Sequence, residues 1–352
     1  MRRSILMTAA ACAVALVVGA APTAAALAPV TAVSDASLAA AARPILERAP
    51  HDQAGVAYID SSGTRYAYFG ASEDSEYEIG SITKTFTAGL FTEAISRGEV
   101  REDTRVGELL PVAGTPVADV MLIELASHKS GLPQFALTPD MAAGGIAWQL
   151  EGKNPFTFDR EALLNQARWS PLVGRGLVVS YSTLGYALLG QALAAAAHTD
   201  YATLLRERML EPLGLAHTWL PLTAADLPPG VSAGFNAQGR PQDPWPIGAY
   251  APAGGLRSTL PDMVRYTSAL LAGTAPGSSA MTPRWDKIGG TRGGMSWTVF
   301  ERDGVEYTTH AGGTGGFEGV IMMDRARGRA VVIQTNQVAN IEKEGLDLLK
   351  AL

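Results

Sequence analysis

The sequence predicts a mixed α/β chain in which one antiparallel sheet is assembled from both ends and a helical domain is inserted between them. Three observations carry this. Strand-like runs lie before residue 80 and after residue 273, while helical periodicity dominates the stretch between them. Two hairpin signals, Asp303-Gly304 and Ala326-Arg327-Gly328, make the C-terminal strands antiparallel. The last twelve residues, Ile341 to Leu352, repeat apolar side chains at helical spacing.

Taken in order, Asp35 to Ala49 reads as a helix with Leu38, Ala42, Ile45 and Leu46 on one face. Gly55 to Asp60 and Tyr66 to Gly70 read as two strands joined through Ser61-Ser62-Gly63. Helices are expected over Ser81–Arg97, Arg160–Trp169, Ser182–His198, Tyr201–Leu210 and Pro261–Leu271, separated by Pro- and Gly-rich loops such as Pro228–Pro252. Strands return at Met295–Glu301, Val305–His310, Phe317–Asp324 and Arg329–Thr335. The sheet domain therefore takes residues 34–80 and 274–352, flanked by the terminal helices, and the mostly helical insert takes 81–273. A cleft between the two parts is the expected place for a site.

The chain has 352 residues, of which 47% are apolar and 18% charged, which supports a large packed core and excludes a disordered chain. Net charge is −6, so the balance gives no sign of a nucleic-acid partner. Arg2 and Arg3 are followed by no charge until Asp35; Ile5 to Ala21 is apolar, and Ala24-Ala25-Ala26 follows Pro22. This describes a signal peptide over residues 1–26 and an exported protein, secreted or periplasmic, with no stable membrane anchor. The single cysteine, Cys12, lies in that segment, so the mature chain would have no thiol and a charge of −8. Any covalent catalysis then has to use a hydroxyl.

The candidate hydroxyl is Ser81 in Ser81-Ile82-Thr83-Lys84, at the junction of the first strands and the helical insert. Residues three apart share a helix face, so Lys84 would stand beside the Ser81 hydroxyl. A serine needs a nearby proton acceptor, and a helix N-terminus offers backbone N–H groups to a developing oxyanion. Further along are Tyr181-Ser182-Thr183, opening a helix, and His310-Ala311-Gly312, ending a strand before Gly313-Thr314-Gly315-Gly316.

In order and context these three motifs resemble those of the serine β-lactamase-like superfamily, which includes class C β-lactamases, D-alanyl-D-alanine carboxypeptidases, D-aminopeptidases and related esterases. The wider runs Tyr77–Phe86, Ser127–Pro133 and His310–Phe317 are similar too, and the likeness extends from Val56 to Thr335. It implies the β-lactamase/transpeptidase-like fold, a sheet domain with an all-α insert. It implies Ser81 as the acylated nucleophile, with Lys84 holding the proton network and Tyr181 as base or relay, its phenol lowered by Lys84. Either Lys84 or Tyr181 could take the first proton. Ser81 and Gly313 would supply the oxyanion N–H groups, while Thr183, His310 and Gly312 would meet substrate. Arg257, in the familial-looking run Ala253–Thr259, is a further candidate for a substrate carboxylate. The implied reaction is hydrolysis of a small-molecule or short-peptide substrate through an acyl-enzyme, with no cofactor and no metal. The likeness leaves the oligomeric state open.

Two positions depart from the family pattern. Thr183 stands where the family has Asn, and a hydroxyl offers one donor on a shorter arm than a carboxamide. His310 stands where class C β-lactamases have Lys, which disfavours a β-lactam carboxylate. The expected activity is therefore closer to a D,D-carboxypeptidase or a related D-amino-acid amide or ester hydrolase. The alternatives are a β-lactamase and a catalytically silent penicillin-binding-like protein. Two motifs are read as decoys. Lys129-Ser130-Gly131 precedes Tyr181 and sits in a turn. Gly230-Val231-Ser232-Ala233-Gly234 matches a nucleophile elbow, but an α/β-hydrolase using Ser232 with His310 needs a buried strand before it and a helix after it. The five histidines show no metal spacing.

Overall fold

The computed structural model describes residues 27–31, 33–287, 289–339 and 341–352. The signal peptide expected over residues 1–26 lies outside the described residues. Helix α1 (Ala36–Leu46) starts at Asp35, whose carboxylate accepts from Leu38 N. Strands β1 (Ala54–Asp60) and β2 (Gly63–Phe69) follow as a hairpin, then β3 (Glu76–Glu78). A 3₁₀ turn, Gly80–Ile82, leads into α2 (Thr83–Ser96). The insert contributes α3 (Pro139–Glu151), α4 (Arg160–Arg168) and α5 (Thr183–Ala196). Strand β4 (Arg257–Thr259) pairs with β3, and α6 (Leu260–Leu271) follows it. The C-terminal part is β5 (Trp285–Asp286), β6 (Arg292–Gly293), β7 (Thr298–Arg302), β8 (Val305–Gly313), β9 (Glu318–Asp324), β10 (Arg329–Thr335) and α7 (Ile341–Ala351).

These strands form one eight-stranded sheet in the order β2-β1-β10-β9-β8-β7-β6-β5. Every pairing in it is antiparallel. The two ends of the chain meet where β1 pairs with β10, Val56 opposite Ile333. Asp303 and Gly304, both with positive φ, make the β7–β8 turn.

Alternation along the strands places two cores. Val56, Tyr58, Val331 and Ile333 face Leu38, Leu46, Leu348 and Leu349 of the terminal helices. Ala57, Ile59, Ala330 and Val332 face the other way, into the core shared with the helical insert. Helix α6 packs on β1 and β10, so the part of the chain resting on the sheet begins before residue 274. The expected helix over Tyr201–Leu210 changes to a π-helical turn at Arg206–Leu210. The short helices Val106–Leu109 and Leu122–Ala126, helix α3 and the edge strands β5 and β6 were not expected, being too short or too weakly patterned to register.

Candidate active site

Ser81 lies in the 3₁₀ turn at the head of α2, and two neighbouring segments pin that turn. Ile79 N donates to Leu256 O at 3.0 Å, and Leu256 N donates to Thr83 Oγ1 at 3.2 Å. On the other side, β8 runs against the turn with no room for side chains. A Cβ on Gly312 would come within 2.1 Å of Ile79 O and 2.8 Å of Ser81 N. Gly80, at φ 48°, has the Gly313 backbone 2.6 Å from where its own Cβ would stand. Glycine at these positions is what lets the amides of Ser81 and Gly313 share one corner of the cleft.

Lys84 Nζ is 3.1 Å from Ser81 Oγ and donates to Ala253 O at 2.6 Å. The side chain is fully buried and, among the described residues, no carboxylate pairs with it. Burial lowers its pKa to about 7, so near neutrality much of it is an uncharged amine able to accept a proton. Its Nζ also stands 4.9 Å from the Tyr181 ring centroid.

Tyr181 borders the same corner, with the Ser81 hydroxyl as its side-chain partner. The phenol does not behave as the sequence suggested. Although 39% of the residue's surface is exposed, the packing around its hydroxyl raises it to about 12, the Ser81 hydroxyl only partly offsetting this, so it stays protonated at neutral pH. The loss of hydration outweighs any pull from Lys84, which is only partly protonated near neutrality. Ser182 caps α5 by accepting from Gly185 N at 2.9 Å, which fixes where Tyr181 leaves the helix.

Thr183 is the first residue of α5, and its N–H donates to Gln134 O at 3.0 Å. His310 is buried, and burial together with the nearby Lys84 drives it down to about 3, leaving a neutral ring. Arg257 is a correction. Its side chain is not in the cleft but 1% exposed, with its guanidinium 3.0 Å from Glu78 and 3.8 Å from Glu76. Burial lowers the Arg257 pKa and raises that of Glu78, and their mutual attraction opposes both shifts. Glu78 also accepts from Trp245 N at 2.7 Å. Arg257 is thus a structural cation on β4.

Three groups that the motifs did not single out line the cleft. His128, at φ 58°, lies 4.6 Å from the Tyr181 ring centroid and accepts from Ser182 N on Nδ1 at 3.1 Å. Burial, with Lys84 next, holds its pKa well below the ordinary value. Ser296, at φ 69°, is buried there too. Lys287 reaches in from the sheet edge and donates to Thr298 Oγ1 at 2.7 Å. Positive φ at a non-glycine residue is a structural signal invisible in sequence.

Two cavities meet at Ser81, Tyr181 and Gly313. One, of about 670 Å³, is polar and includes His128, Lys287, Ser296, His310 and Glu318. The other, of about 500 Å³, is lined by Phe135, Met141, Trp148, Phe156, Trp245 and Ile247. Neither decoy enters them. Ser232 lies in a loop followed by the two-residue strand Gly234–Phe235 rather than a helix, and the sheet is antiparallel. Ser130 lies in a buried turn, its Oγ accepting from Leu132 N at 3.3 Å.

A serine beside an uncharged lysine, with two backbone amides and a protonated tyrosine at one corner, is the equipment of a serine acyl-transfer site. A family model described as Beta-lactamase matches residues 40–351, and the chain belongs to the β-lactamase family of serine hydrolases. Penicillin-binding protein 4 of Amycolatopsis lactamdurans is 28% identical over 290 residues, covering 75% of this chain and 72% of its own. A β-lactamase of Providencia stuartii is 29% identical over 197 residues, 55% of this chain; the match spans only about half of that protein, 47%. The crystal structure of D-alanine carboxypeptidase AmpC from Burkholderia cenocepacia superposes with a TM-score of 0.72 at 22% identity, covering 90% of this chain and 98% of the other. The fold is β-lactamase/transpeptidase-like.

Proposed function

We propose that this protein is an exported serine hydrolase that forms an acyl-enzyme on Ser81, acting on a D-alanyl peptide, a D-amino-acid amide or an ester. The observation that carries the reading is the 3.1 Å contact between Ser81 Oγ and a buried Lys84 whose pKa is lowered to about 7. Neutral Lys84 takes the Ser81 proton as Oγ attacks the carbonyl carbon, and the oxyanion is received by the N–H groups of Ser81 and Gly313. The tetrahedral adduct collapses as the leaving group departs with the Tyr181 proton, and the Lys84 ammonium returns a proton to the phenolate. Water then attacks the acyl carbon, giving its proton to Lys84, and Ser81 is released. Export is supported by the signal-like N-terminal sequence.

Ester or amide hydrolysis is favoured over β-lactamase action because His310 is neutral and brings no charge to a β-lactam carboxylate, and the same holds for the terminal carboxylate of a D-alanyl peptide. A silent, penicillin-binding-like role is the second reading, and Thr183 in place of Asn is what favours it. Intact-mass measurement after exposure to a penicillin, a D-Ala-D-Ala peptide, a D-amino-acid amide and a short-chain ester tests these together. An adduct lost in Ser81→Ala supports the acyl-enzyme. A folded protein that gives neither an adduct with nor turnover of any of the four refutes it, and activity regained in Thr183→Asn would place the defect there.

A further inference from the structure

The two cavities that meet at Ser81 differ in chemistry, and this difference deepens the acyl-enzyme reading on which it rests. None of the described residues lining the smaller cavity carries a charge. Its wall is a chain of touching rings: Phe135 and Phe156 have centroids 5.4 Å apart, Phe156 and Trp245 5.3 Å, Trp148 and Trp245 5.6 Å. Such a wall removes apolar surface from water and offers no counter-ion to a charged group. The larger cavity has the opposite character. Lys287 and Glu318 line it, and His128 Nε2, His310 Nδ1 and Ser296 Oγ are buried there without a protein partner.

Hydrolysis of an acyl-enzyme decides which cavity holds which half of the substrate. The deacylating water attacks the acyl carbon from the position the leaving group vacated, so the leaving-group side has to admit water. The polar cavity, with Lys287, Glu318 and three unpartnered buried polar atoms, suits that water better than the aromatic one, whose rings are joined only by uncharged groups such as Gln134, Gln149 and Thr314. We infer that the aromatic cavity is an acyl-chain subsite, and that the preferred substrates are esters or amides of uncharged, apolar acyl groups several carbons long. A peptide donor with an ionised side chain on its acyl half would be disfavoured, because its charge would be desolvated with no partner.

Helix α3 forms one side of the subsite and offers a way to close it. Gly145 lines the cavity, and a Cβ placed on it meets nothing within 4 Å. Gly145→Leu therefore fills the space without a backbone clash. The same helix also brings Met141, its one buried residue, and Trp148 to the cavity.

The test is hydrolysis of p-nitrophenyl acetate, butyrate and hexanoate by the full chain, with Ser81→Ala as control. Each methylene buried is worth up to about fourfold. The expected result is a hexanoate kcat/KM at least tenfold above acetate, with the hexanoate-to-acetate ratio falling at least tenfold in Gly145→Leu. Should that variant not fold, Trp148→Ala widens the same cavity and is expected to move the optimum to longer chains, octanoate or beyond. Acetate turned over as well as hexanoate by the unaltered protein overturns the inference, as does a ratio or optimum that the folded variant leaves unmoved. Hydrolysis surviving in Ser81→Ala is a different failure: it removes the acyl-enzyme reading and this inference with it.

Discussion

Two cations are fully buried close to the cleft, and they are treated in opposite ways. Arg257 has its charge answered by Glu78 at 3.0 Å and Glu76 at 3.8 Å, and its guanidinium lies 5.4 Å from the Phe317 ring centroid. Lys84 has a carbonyl, a hydroxyl and a tyrosine ring around it, and burial lowers it to about 7. An arginine with carboxylates keeps its charge and ties β4 to β3. A lysine without one loses its charge easily and becomes a base. The difference separates a residue that holds the fold from one suited to the proposed chemistry, although both are equally hidden from water.

The largest effect that would break this comparison is on Lys84. Lys84→Met is expected to lower kcat/KM for any substrate by about 10³-fold or more, read by steady-state kinetics, since the Ser81 proton then has no acceptor. Arg257→Ala comes next. It leaves Glu78 buried and unpaired and is expected to cost about 3–5 kcal/mol of stability in denaturant titration. Its effect on KM is expected to be the same for carboxylate-bearing and neutral substrates; a loss confined to the carboxylates would return Arg257 to the site.

The stability of Lys84→Met sharpens the contrast. The folded pKa of Lys84 lies below its unfolded value, so the unfolded chain binds more protons between about pH 7 and pH 10, and native stability from this group rises with pH across that window. Lys84→Met should therefore be more stable than the unaltered protein by about 1–3 kcal/mol at pH 6, with the gain shrinking toward pH 10. A gain that does not depend on pH would count against an uncompensated lysine. On the activity side, kcat/KM is expected to rise with pH through an apparent pKa of about 7 as Lys84 loses its proton. The smallest effect is the double change Glu78→Gln with Arg257→Met, which removes both charges. It should cost no more than about 1–2 kcal/mol, well under the single Arg257→Ala.

Much of this was legible in the sequence. Ser81 and Lys84 fall three apart on a helix start, and the spacing alone brings Nζ to Oγ. The hairpins at Asp303-Gly304 and Ala326-Arg327-Gly328 gave the sheet its direction. What could not be read was set by tertiary burial. Nothing local distinguishes Arg257, which points at a glutamate 179 residues away, from an arginine facing a cleft. The Tyr181 phenol was expected to fall and instead rises, because desolvation depends on what packs around it. Lys287, His128 and Ser296 come to the cleft from three loops with no shared motif, and the aromatic cavity draws on segments more than a hundred residues apart, Phe135 and Trp245.

The seam between β1 and β10 also has a consequence for how the protein is made. Ser81 is synthesised early, yet the strand that carries Gly312 and Gly313 comes more than two hundred residues later, and the sheet closes only when β10 reaches β1. A chain emerging from the ribosome holds Ser81 and Lys84 in a segment that has no second amide and no burial to weaken the lysine's proton. Such an unfinished chain, or one cut short before β8, has a serine but no means of activating it. On the acyl-enzyme reading, reactivity is switched on by completion of the fold.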